Sequence, residues 1–112
     1  MSVLLKYTKR YADTSAWSLR DTPLQDTNTA RVDVYRSCVK DGLIVNNIST
    51  EDFTNLTIHR TIVYRDMAAR EEHIERLDAA LAAAGITEEE VDVEGVVTGE
   101  YVLVVDGVET IL

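Results

Sequence analysis

The sequence predicts an α+β fold: an antiparallel sheet with one main helix packed on one face, a two-layer sandwich that ends in a C-terminal β-hairpin. Three observations predict it. Val, Ile and Thr make up 33 of the 112 residues, and β-branched side chains favour strands. Seven of the ten alanines fall between Ala68 and Ala84, so one segment stands apart as a good helix. Asp-Gly pairs at 41–42 and 106–107 separate apolar runs, and such turns join antiparallel neighbours. The length fits a single domain spanning residues 1–112.

Each element has its own warrant. Val3 to Thr8 alternates, with Val3, Leu5 and Tyr7 on one face and Lys6 on the other, as a half-buried strand does. Residues 9–30 are polar and irregular, with a helical turn over Ser15–Leu19 started by Asp13, Thr14 or Ser15. Arg31 to Lys40 reads as a strand with Val32, Val34 and Cys38 inward. Asp41-Gly42 then turns the chain into Leu43-Ile44-Val45 as a hairpin. Ser49 to Phe53 is a connection, and Asn55 to Arg65 is a long strand. On that strand Leu56, Ile58, Ile62 and Tyr64 share a face with Arg60, and His59 lies on the Thr-rich side.

Asp66 is placed to cap a helix from Met67 to about Ala84, and Gly85 to end it. Met67, Ile74, Leu77, Leu81 and Ala84 form its expected apolar stripe, which leaves His73 in solvent. Thr87 and Glu90 make a capping box for a short helical turn, and Asp92 to Val97 alternates as a strand. Val102–Val105, Asp106-Gly107 and Val108–Ile111 form the clearest hairpin in the chain.

Charge narrows the choice of partner. The net charge is −9, and all of it comes from residues 57–112. An acidic surface repels phosphates, which argues against nucleic acid and against anionic membranes. Cys38 is the only cysteine, so no internal disulfide forms and a cytoplasmic, reducing setting is expected. Glu88, Glu89, Glu90, Asp92 and Glu94 are the candidate patch for a basic protein partner, or for an inhibitor that mimics nucleic acid.

The signals for catalysis are weak. No serine stands in a Gly-x-Ser-x-Gly elbow, and Cys38 sits on an apolar row as a buried, inert thiol. Two separate histidines make no metal site, and the scattered glycines make no phosphate loop. No cofactor is expected. The candidate ligand-binding group is His59, Arg60, Tyr64, Arg65 and Trp17. Arg60 interrupts an apolar row, where a charge needs a partner or an anion. His59 is a candidate base, and Trp17 and Tyr64 are candidate walls.

The strand Leu56–Asp66 and the Ala-rich helix after it resemble the second strand–helix unit of ferredoxin-like, dimeric α+β barrel proteins. The resemblance is architectural and carries no functional residues over. One helix covers only one sheet face, so a homo-oligomer, with a dimer favoured, is expected on the other. The first functional expectation is therefore a non-enzymatic oligomeric interaction module with an acidic C-terminal half. The alternatives are a cofactor-free enzyme or small-ligand-binding protein, and an acidic mimic of nucleic acid.

Overall fold

The computed structural model describes residues 2–19, 26–85 and 96–112. In chain order its elements are β1 (Val3–Tyr11), α1 (Thr14–Leu19), α2 (Asp26–Lys40), β2 (Ile44–Asp52), β3 (Thr57–Tyr64), α3 (Met67–Ala83), β4 (Val96–Val105) and β5 (Val108–Ile111). The five strands form one sheet in the order β2-β3-β1-β4-β5, and every neighbouring pair is antiparallel. Apart from β5, this is the ferredoxin-like arrangement, two interleaved β-α-β units. The α+β two-layer architecture is as expected.

Register sorts the side chains. Directly paired residues share a face. Val3 pairs with Tyr64 and Val105, Leu5 with Ile62 and Leu103, and Tyr7 with Arg60 and Tyr101. These rows face the helices. The alternate rows, such as Leu4 with Val63 and Val104, face away. Two clusters fill the helix side. Val3, Ile44, Ile62 and Tyr64 from the sheet meet Val34 and Cys38 of α2 and Ala69 of α3. At the other end Trp17 of α1 plugs against Tyr11 and Ile58.

Four local expectations need correction. Residues 31–40 belong to helix α2, so two long helices cover the sheet rather than one. The period-2 reading of Val32 and Val34 obscured a better helical set. Arg31, Val34, Tyr35 and Cys38 fall at i, i+3, i+4 and i+7, and Val32 and Val39 are the exposed ones. Asp41-Gly42 is a helix end, not a hairpin. The Leu43 amide donates to the Cys38 carbonyl at 2.9 Å and the Gly42 amide to Val39 at 3.1 Å, with Gly42 at φ 74°. That is a Schellman cap, which demands the same left-handed glycine as a hairpin turn.

The third correction is that Ser49–Phe53 is no simple connection, because β2 runs on to Asp52 as a polar edge strand. The fourth concerns residues 9–30. They include the end of β1, all of α1 and the start of α2. The α3 stripe is also rotated. Ala69 and Leu81 are its buried residues, while Ile74 is exposed.

Other expectations hold. Asp66 caps α3, its Oδ1 accepting from the Ala69 amide at 2.7 Å, and Gly85 follows at φ 71°. Asp13 caps α1, its Oδ1 accepting from the Ala16 amide at 2.8 Å. The β4–β5 hairpin turns at Asp106 (φ 50°) and Gly107 (φ 83°), and both positive angles match a type I′ turn. The Ser2 amide donates to Asp106 Oδ1, and the Asp106 amide to the Ser2 carbonyl, each at 2.8 Å. The expected turn at 87–91 and the start of the 92–97 strand lie outside the described residues.

Candidate functional site

Between the two clusters the sheet and the helices leave a cavity of about 660 Å³. Its floor is the middle of the helix-facing rows: Tyr7 and Lys9 of β1, Ile58, Arg60 and Ile62 of β3, and Tyr101 of β4. β2 adds Asn47 and Ser49 at one edge. Arg31, Tyr35 and Arg36 are among the residues that α2 contributes, and His73 and Leu77 come from α3. The size suits a small organic molecule, since ligand pockets run from roughly 300 to 1,000 Å³.

The charges in this lining are all of one sign. Lys9, Arg31, Arg36 and Arg60 line the cavity, and no Asp or Glu is among the described residues that do. This occurs in a chain of net charge −9. The α2 helix brings in two of the cations: Arg31 is half-buried, and Arg36 is exposed. Neither makes an ion pair with a described residue. Arg60 is half-buried and its Nη1 donates to the Tyr7 hydroxyl at 3.2 Å. Tyr7 stacks on Tyr101, with centroids 5.4 Å apart, and the Lys9 ammonium lies 5.7 and 5.8 Å from their ring centres. These cation–π contacts hold the lysine at the cavity floor.

The cavity wall at His73 is backed by a buried tyrosine. The Tyr64 hydroxyl and His73 Nδ1 are 2.7 Å apart. Burial pushes the Tyr64 phenol up to about 12, against an opposing pull from the Arg70 guanidinium. Burial first, then Arg70 and Arg76, hold His73 below its ordinary value. The expectation that His73 lies in solvent is therefore corrected. It turns inward because the inward stripe of α3 runs through Ala69, His73 and Leu77, spaced by four.

The sequence-derived candidates divide. Arg60 lines the cavity, and Tyr64 reaches it through His73. His59 is on the opposite face of the sheet, exposed, with its Nδ1 3.1 Å from Thr8 Oγ1. Arg65 is exposed and pairs with Asp66 at 3.2 Å. Trp17 is buried edge-on to Tyr11 and Phe53, each with centroids 6.0 Å away. Glu88, Glu89, Glu90, Asp92 and Glu94 lie outside the described residues. Sequence reasoning missed Lys9, Arg31, Arg36 and His73. An i, i+4/i+5 reading of Arg31, Tyr35 and Arg36 would have found the two arginines.

Cys38 is fully buried on α2, and burial pushes its thiol up. No group of three metal-ligating side chains occurs among the described residues. Among them no helix is long and apolar enough to cross a membrane.

No family model and no curated protein matches the chain. Among solved structures, a dimeric ferredoxin-like protein from an uncultured marine organism is similar, with a TM-score of 0.65. The two are 11% identical over 99% of this chain and 87% of that one. At that identity the likeness defines the class of fold, a ferredoxin-like α+β sheet with helices on one side.

Proposed function

We propose that the protein binds a small organic anion in the cavity between sheet and helices, and that it works by binding rather than by turnover. The carrying observation is the four-cation lining without a carboxylate. Like charges gathered in one lining repel one another. A bound anion reverses that sign. Arginine forks suit carboxylate and phosphate oxygens, and Ile58, Ile62 and Leu77 offer an apolar bed to the rest of the molecule.

Ligand-observed NMR tests this with carboxylates, sulfonates and phosphates beside their neutral amides or alcohols. The anions should bind in preference, and Arg60→Gln or Arg31→Gln should weaken them by about tenfold, the loss of one charged hydrogen-bonding partner. Equal binding of the neutral counterparts, or no anion bound, refutes the proposal.

A second reading concerns assembly and is compatible with the first. The sheet face opposite the helices carries Leu4, Val63 and Val102, with Ile48 and Ile111 exposed at its margins. The similar solved structure is described as dimeric. Both support a second copy of this chain as the cover of that face.

A further inference from the structure

His73 has one nitrogen committed and one not. Its Nδ1 meets the Tyr64 hydroxyl at 2.7 Å, and among the described residues its Nε2 has no hydrogen-bond partner. The direction of the shared proton follows from burial. Tyr64 is 3% exposed, and among the described residues His73 Nδ1 is the one hydrogen-bond partner of its hydroxyl. The phenol therefore turns its O–H toward Nδ1, because an Nδ1–H donating to it would leave the phenol hydrogen buried without an acceptor. A neutral imidazole that accepts at Nδ1 carries its hydrogen on Nε2, on the other side of the ring. Burial, Arg70 and Arg76 all favour that neutral form. The ring is half-buried and lines the cavity, so the uncommitted N–H is a donor available to an acceptor there.

The distance from the charged end of the site follows from the strand. Arg60 and Tyr64 are four residues apart on β3, about 13 Å of strand. Ile62 lies between them and faces the same cavity. Along β3 the floor thus runs from the Arg60 cation past apolar Ile62 toward the neutral donor. We propose that His73 Nε2–H, oriented by Tyr64, is a ligand-binding donor, and that the ligand is an organic anion with an uncharged oxygen on the order of 10 Å from its charge. This rests on the anion-binding function proposed above. Tyr64 is a positioning residue, and His73 touches the ligand.

The test compares 2-naphthoate with 6-hydroxy-2-naphthoate, which carries a hydroxyl at the far end of the same ring system. Calorimetry on the full chain should find the hydroxy compound tighter by about tenfold, the effect of one hydrogen bond. His73→Phe should reduce that advantage to about twofold or less, and Tyr64→Phe should reduce it in part. Because both variants alter buried residues, the wild type supplies an independent readout. Its imidazole ¹⁵N shifts should show a bare Nδ1 and a protonated Nε2 on His73, and only the hydroxy compound should move the Nε2–H resonance. Equal affinities, a proton on Nδ1, or an unmoved Nε2–H overturns the role of His73 while leaving anion binding intact. If small anions of every kind fail to bind, the cavity proposal falls and this one falls with it.

Discussion

At the scale of single residues, His73 makes a prediction about stability as well as recognition. Its ring is packed against Tyr64 of β3 and lies near Arg70 and Arg76 of its own helix, while Arg31 and Arg36 of α2 line the same cavity. Burial first, and then these charges, all of them positive, oppose protonation of the ring in the folded state. The folded value is therefore depressed, and the unfolded chain takes up the proton first. Where the unfolded state binds more protons, stability rises with pH. The contribution is thus intact above the unfolded value near 6.5 and is lost as pH falls through the window beneath it. Urea midpoints measured from pH 7.5 down to 5 should fall more steeply for the wild type than for His73→Phe. Parallel slopes would mean that the ring is not held neutral by its surroundings.

Other single positions were readable in advance to different degrees. Asp66 and Gly85 were legible because caps depend on a residue's own side chain or backbone freedom. Cys38 was expected to be buried and is, although its row belongs to a helix. His73 was not legible. A histidine beside glutamates on a charged helix looks solvated until the facing strand supplies Tyr64, a partner nine residues earlier in the chain.

At the scale of elements, α2 and β2 show why local patterns misled. The segment RVDVYRSCVK alternates for four residues and contains three valines, enough to suggest a strand. Tertiary packing decides otherwise, because Val34 and Cys38 are one helical turn apart and both enter the main cluster with Tyr64 and Ala69. Burial gives a clean test. Val34 is 7% exposed and Val39 is 46% exposed. Val34→Ala should destabilise by about 1–3 kcal/mol, the usual range for removing buried methyl groups. Val39→Ala should be neutral or slightly stabilising, since Ala is the better helix former. Chemical denaturation measures both, and comparable losses at the two sites would contradict a helix with this inward face. β2 eluded the pattern for a simpler reason. It is an edge strand whose side chains are almost all exposed, so no apolar alternation marks it. By contrast β1, β3, α3 and the β4–β5 hairpin carry alternation, stripe or turn chemistry strong enough to be seen unaided.

At the scale of the whole molecule, the two faces of the sheet differ in character. The helix side encloses the cationic cavity, and the far side presents Leu4, Val63 and Val102 in adjacent rows, extended by Ile48 and Ile111. Five strands about 4.8 Å apart and some eight residues long offer on the order of 600 Å² on one face. That approaches the roughly 800 Å² per partner of a standard interface. A twofold pairing of two such faces would bury these rows and leave both cavities outward. Sedimentation should therefore find a dimer. Val102→Lys combined with Ile111→Lys should return it to monomer, because each added charge would have to be desolvated in the interface. Anion binding should survive that double substitution, since neither residue faces the cavity. A wild-type monomer would refute the pairing. A dimer unaffected by the two lysines would move the contact to another surface, and a monomeric variant that no longer binds anions would mean that the two faces are not independent.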